Sequence, residues 1–128
     1  MLLNVQTSPG EFLDKLTILE IKAERMTDPA KLANVRRELA QLRATWAASP
    51  LSARDVGRLV AELRAVNEAL WGIEDRIRAC EAAQRFDADF VELARSVYRT
   101  NDRRAALKRE LNLVLGSDLL EEKSYTGY

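Results

Sequence analysis

Val56, Leu59, Leu63, Val66, Leu70, Ile73, Ile77 and Cys80 follow one another at spacings of 3-4-3-4-3-4-3. A helix whose apolar stripe repeats every 3.5 residues must lay that stripe along another helix, so the pattern predicts a long central helix partnered along its length, with a coiled-coil-like seam. Ser52, followed three residues later by Asp55, is expected to start this helix, with Leu51 and Val56 as a hydrophobic staple. It is expected to span residues 53–85, on the order of 48 Å at 1.5 Å per residue. Gly57 and Gly72 would lie inside it, each weakening it by about 1 kcal/mol relative to Ala.

The same reasoning places three further helices. Ser8-Pro9-Gly10-Glu11 is an N-cap, a proline at the first helical position and the glutamate of a capping box, opening a helix over 9–26. Phe12, Leu16, Leu19, Ala23 and Met26 form its stripe, widened by Leu13, Ile18 and Ile21, so it needs more than one neighbour. Asp28-Pro29 ends it and caps a second helix over 29–47, with Leu32, Val35, Leu39, Leu42 and Trp46 on one face. Ser49-Pro50-Leu51-Ser52 reads as the linker between two hairpins, and Asp87 caps a fourth helix over 88–115 that Gly116 closes. Residues 117–128 form a tail in which Leu119, Leu120 and Tyr125 are apolar enough to dock. The expected fold is all-α: one domain of two antiparallel helical hairpins forming an elongated four-helix bundle. The first hairpin covers only part of the second, so a homodimer is expected to bury the remaining stripe.

Phe90, Leu93, Val97, Leu107, Leu111 and Val114 keep the seam of the fourth helix, but Thr100 and Arg104 interrupt it. With helices three and four antiparallel about the turn at 85–87, position j faces roughly position 172 minus j. Asn67, Glu68, Trp71 and Glu74 then meet Tyr98, Asn101 and Arg104, with Lys108 one turn further on. These eight residues are the candidate ligand-binding set, suited to an anionic or sugar-like molecule. Two structural readings stand beside it. Arg104 and Asn101 can pair with Glu68 or Glu74 to fix register, or Asn101 can cap a new helix at a solvent-exposed kink.

Composition narrows the chemistry. The 128 residues carry 20 Lys plus Arg, 20 Asp plus Glu, no histidine and one cysteine, so there is no global field, no usual general base and no thiolate cluster. Cys80, in seam phase, is expected to be a small buried apolar group. The run Arg99, Arg103, Arg104, Lys108 and Arg109 is interleaved with Asp102 and Glu110 and has no aromatic platform, so nucleic acid is not the expected partner. The pairs Glu11/Asp14, Glu20/Glu24, Glu74/Asp75 and Glu121/Glu122 show none of the convergence that a magnesium-dependent hydrolase requires. Neither a basic, apolar leader nor an 18-residue apolar run is present, so the expectation is a cytoplasmic protein with no membrane partner, no metal and no cofactor.

Two resemblances bear on function. The segment from Phe12 to Met26 resembles the first helix of the all-helical chorismate mutases, although that family's second-helix lysine is matched here only by Arg36, Arg37 and Arg43. Pro9-Gly10-Glu11-Phe12-Leu13-Asp14-Lys15-Leu16-Thr17-Ile18-Leu19-Glu20, Leu70-Trp71-Gly72-Ile73-Glu74-Asp75 with Ile77-Arg78, Ser96-Val97-Tyr98 with Asn101-Asp102, and Glu121-Glu122-Lys123-Ser124-Tyr125 together resemble, over nearly the full length, a family of short all-helical bacterial proteins of unknown function. That resemblance implies the fold and no catalytic residue. The expected role is an oligomeric interaction or accessory module, with an anionic-ligand binder or enzyme as the alternative.

Overall fold

A computed structural model describes residues 1–128. Four helices form the bundle: α1 (Pro9–Arg25), α2 (Pro29–Ala48), α3 (Gly57–Ala82) and α4 (Ala88–Val114), with a single 3-10 turn, Pro50–Ala53, before α3. The ends follow local chemistry. Ser8 Oγ accepts from Glu11 N at 3.1 Å, Asp28 from Lys31 N at 3.3 Å and Asp87 from Phe90 N at 3.2 Å, each satisfying an otherwise orphaned helix amide. The capping box at α1 is only half formed, because the Glu11 carboxylate turns away to Lys108.

The third helix departs from its expected limits at both ends. Ser52 bends back onto the Ser49 carbonyl at 2.8 Å, so residues 50–53 close a 3-10 turn and α3 starts at Gly57 without a side-chain cap. Gly57 therefore sits at the first helical position, where its interior penalty does not apply. At the other end Gln84 adopts φ 52°, and the amides of Gln84 and Arg85 bond back to Glu81 and Cys80 as a Schellman motif. A non-glycine in this conformation gave no signal in the sequence. Gly116, at φ 66°, closes α4 in the same way, with Ser117 N on Asn112 O at 2.8 Å. No break occurs at residues 99–102, so Asn101 does not cap a new helix.

The helices alternate up and down, and α1 wedges into the groove between α3 and α4 while α2 packs on α1 and the 3-10 turn. Leu13 of α1 joins Leu59 and Leu63 of α3 and Leu107, Leu111 and Leu115 of α4 in the main core. A satellite cluster of Leu16, Leu19 and Leu39 holds α2. The wedge is tight at Gly10: its amide donates to Asn112 Oδ1 at 2.7 Å, and a Cβ there would fall 2.8 Å from that oxygen and closer still to the Lys108 carbonyl. Only glycine lets α1 approach this closely.

At 17 residues, α1 is about 26 Å long, whereas α3 and α4 reach about 40 Å. The α3–α4 hairpin consequently projects past Arg25 as a two-helix arm. Ile73 and Cys80 are buried in it, while Phe86, Val91 and Tyr98 remain exposed. The whole chain exposes 8750 Å², against about 6,900 Å² for a compact protein of 14.5 kDa. Part of the excess lies in the extended Met1–Thr7 segment and the tail, and part in the arm.

Candidate functional site

Where α1 passes between α3 and α4, the core turns polar. Asp14 is 1 % exposed, and both of its oxygens are engaged by Arg104 of α4, through Nε to Oδ1 at 2.9 Å and Nη2 to Oδ2 at 2.5 Å. Asn67 of α3 donates its Nδ2 to the same Oδ1 at 3.0 Å and to Thr17 Oγ1 at 3.1 Å; Thr17 Oγ1 in turn donates to the Asp14 carbonyl at 2.8 Å. The bidentate carboxylate raises the Arg104 pKa above its ordinary value, against the opposing effect of desolvation. No buried side-chain nitrogen or oxygen in the protein lacks a partner.

One turn up α4, Lys108 lies with its ammonium between Glu11 at 2.7 Å and Glu121 of the tail at 2.9 Å. Burial is the largest influence on Lys108 and pulls its pKa down, but the hydrogen bonds to the two carboxylates carry it above the ordinary lysine value. Glu121 is displaced the opposite way, below the usual carboxylate range, chiefly by its bond to Lys108. The tail is further held by Arg109 to Glu122 at 3.0 Å and by Tyr128, which donates to Asp102 and packs edge-on against Tyr98. Charge and a tyrosine hold it, not the expected apolar residues: Leu119, Leu120 and Tyr125 are exposed.

Arg104, backed by the buried Asp14, stands at the inner end of a cleft of 360 Å³ lined also by Ile18 and Ile21 of α1 and by Asn67, Leu70, Trp71, Glu74, Asp75 and Arg78 of α3. Four of the eight candidate residues meet there: Asn67, Trp71, Glu74 and Arg104. The other four do not. Glu68 points to Arg64 at 3.3 Å, Tyr98 faces Tyr128, Asn101 is half-buried outside the lining, and Lys108 serves the tail. The expected pairing of Arg104 with Glu68 or Glu74 is replaced by Asp14, because α1 enters the α3–α4 groove and brings a carboxylate closer than either; Glu74 bonds Arg78 at 3.2 Å instead.

Sequence reasoning missed Asp14 and Thr17. Their signal was present: both fall among Leu13, Leu16 and Ile21 on the broad buried face of α1, where a polar side chain requires a partner. Glu20 and Glu24, which build no metal site, serve instead to hold α1 on α3. Arg64 bridges them from α3, at 3.6 and 2.5 Å. Each cation of the basic run has a carboxylate partner: Arg99 with Glu92, Arg103 with Glu62, Arg104 with Asp14, Lys108 with Glu11 and Glu121, and Arg109 with Glu122. No helix is long and apolar enough to cross a membrane. No protein-family model, curated protein sequence or solved structure matches the chain.

Proposed function

We propose that the protein is an interaction or accessory module working as a homodimer in a reducing, cytoplasmic compartment, with the projecting α3–α4 arm as the surface on which two copies meet. The observation that carries this reading is the groove of 690 Å³ between α3 and α4 beyond the end of α1, whose lining includes Ile73, Ala79, Cys80, Leu93 and Ser96. It lies on the flank of the seam that carries Glu62 and Arg103, opposite the one that α1 packs against, and no other helix of the chain covers it. Its charges favour a second copy as the occupant. Arg76 flanks the groove on the α3 side and Asp89 on the α4 side, neither with an ion-pair partner in the chain, while Arg85 is paired with Asp87 and Glu92 with Arg95 and Arg99. A two-fold axis through the groove would set the α3 side of one copy on the α4 side of the other, bringing opposite charges together.

The alternative, an anionic-ligand site at Arg104, is weakened by Asp14, which neutralises that guanidinium within the free chain. Saturation of the basic run by carboxylates likewise supports a protein partner over nucleic acid.

Sedimentation velocity tests the proposal. At micromolar concentration the wild type should run at twice the 14.5 kDa chain mass. Leu93→Asp should shift it to monomer with its helical circular dichroism retained. Ala79→Arg, at an exposed position of the groove lining, should do the same without touching the core. A fully helical wild-type monomer at these concentrations would overturn the reading.

A further inference from the structure

We infer that the cleft beside Trp71 binds a small, planar, uncharged molecule carrying a carbonyl next to an N–H, such as an aryl amide or a pyrimidine-type base. The argument starts from Asn67, which is 6 % exposed and lines the cleft. A carboxylate accepts only, so the side-chain atom facing Asp14 Oδ1 must be the amide nitrogen, and Asn67 Oδ1 is the atom left over. That oxygen accepts no hydrogen bond from the chain. Because no buried side-chain oxygen is unpartnered, it must open onto the cleft. Arg104, with Nε and Nη2 fixed on Asp14, keeps the Nη1 donors uncommitted at the same inner end. Both groups are anchored on one carboxylate oxygen, Asp14 Oδ1, so an acceptor and a donor that line the same cleft are each locked from behind.

The walls fix the remaining chemistry. Ile18, Ile21, Leu70 and the half-buried Trp71 give an apolar flank and an aromatic face suited to a flat ring. The volume of 360 Å³ is at the small end of ligand pockets, about 300–1,000 Å³. Charge selects against anions: Asp14 cancels Arg104, Glu74 cancels Arg78, and Asp75 has no cation partner, leaving the cleft with a net negative bias. A carboxylate ligand would also set its oxygen against Asn67 Oδ1, whereas an amide N–H would bond to it.

Benzamide and benzoate have the same shape and differ in these respects, so they form the test pair. In ¹⁵N-resolved NMR titrations of the full chain, benzamide should move the Asn67 side-chain amide and the Trp71 indole N–H saturably. Benzoate should bind about tenfold more weakly or not at all. Trp71→Ala, at a half-buried position, should abolish the Asn67 response while circular dichroism shows the fold retained. Benzoate binding as well as benzamide would overturn the assignment in favour of an anion site. Failure of benzamide to move either resonance in the wild type would overturn it altogether.

Discussion

Replacing Arg104 by Leu restores the apolar seam of α4, and on the seam pattern alone it should be neutral or stabilising. The structure reverses that expectation. Asp14 is a fully buried carboxylate that receives two hydrogen bonds from Arg104 and one from Asn67. Without the guanidinium it keeps a single neutral donor for a full negative charge. Breaking a buried pair from one side costs about 3–5 kcal/mol, because the remaining ion has neither water nor a partner. The Arg104 side chain is 28 % exposed, so some water already reaches the pair and the lower end, about 3 kcal/mol, applies. That is a large share of the total stability of a domain, about 5–15 kcal/mol. For a chain of this size it corresponds to a fall in Tm of about 12 °C. Thermal and urea denaturation of Arg104→Leu, Asp14→Asn and the double variant form a cycle that isolates the charge. The double variant should be more stable than Arg104→Leu alone, since it removes the orphaned charge and leaves a neutral amide. An Arg104→Leu protein as stable as wild type, or a double variant with strictly additive losses, would refute the pairing argument.

Three further predictions come from the upper part of the wedge. Gly10→Ala should destabilise by about 1–3 kcal/mol, because the new Cβ must push the Lys108 carbonyl or Asn112 away; chemical denaturation checks this, and an unchanged midpoint would show that α1 can shift freely. Truncation after Gly116 removes Glu121 and leaves Lys108 with Glu11 alone, which should cost about 1 kcal/mol for so exposed a carboxylate. The clasp also has a pH signature. The folded pKa of Glu121 is depressed, so its contribution is complete above the ordinary glutamate value of about 4.3 and is lost as pH falls below it. Lys108 is raised, so its contribution is complete below the ordinary lysine value of about 10.4 and is lost as pH climbs from there through its folded value. Limited proteolysis of the tail should therefore accelerate in acid, while the tail stays protected from neutral pH into the mildly alkaline range.

Helices α1, α2 and α4 were legible because each is announced twice, by an apolar period and by a cap, whereas α3 is announced by its period alone. Ser8, Asp28 and Asp87 each accept the amide expected of them, and Gly116 closes α4. The ends of α3 were not legible, because Gln84 takes a left-handed conformation usually given to glycine and Ser52 has a nearer carbonyl to bond. The polar layer was half visible. The antiparallel register of α3 and α4 follows from a tight turn and equal rise per residue, so it could be counted; position 104 is counted opposite 68, and Arg104 and Asn67 do meet on Asp14 Oδ1. Which helix enters the α3–α4 groove cannot be counted, since it depends on three-body packing. Gly10 permits the approach of α1, and α1 supplies the buried Asp14, which counting along α3 and α4 alone could not bring to Arg104.

Because α1 and α3 both line the cleft and run in the same direction, the chain must travel back along the bundle between them, and α2 is that return path. Its 20 residues cover about 30 Å against the roughly 26 Å of α1, and Leu39 is its only fully buried side chain. It contributes no atom to the Asp14–Arg104 layer, to the cleft or to the arm. In mechanical terms α2 is mainly a strut: beyond span it needs the small cluster it shares with Leu16 and Leu19 and the Trp46 ring, which stacks on Phe12 and packs against the main core. A flexible tether of equal length has an end-to-end distance of about 25 Å, enough to make the same return. Local opening should therefore begin at α2, and outside Leu39 and Trp46 evolution is free to rewrite this segment while the three helices that hold the chemistry stay fixed.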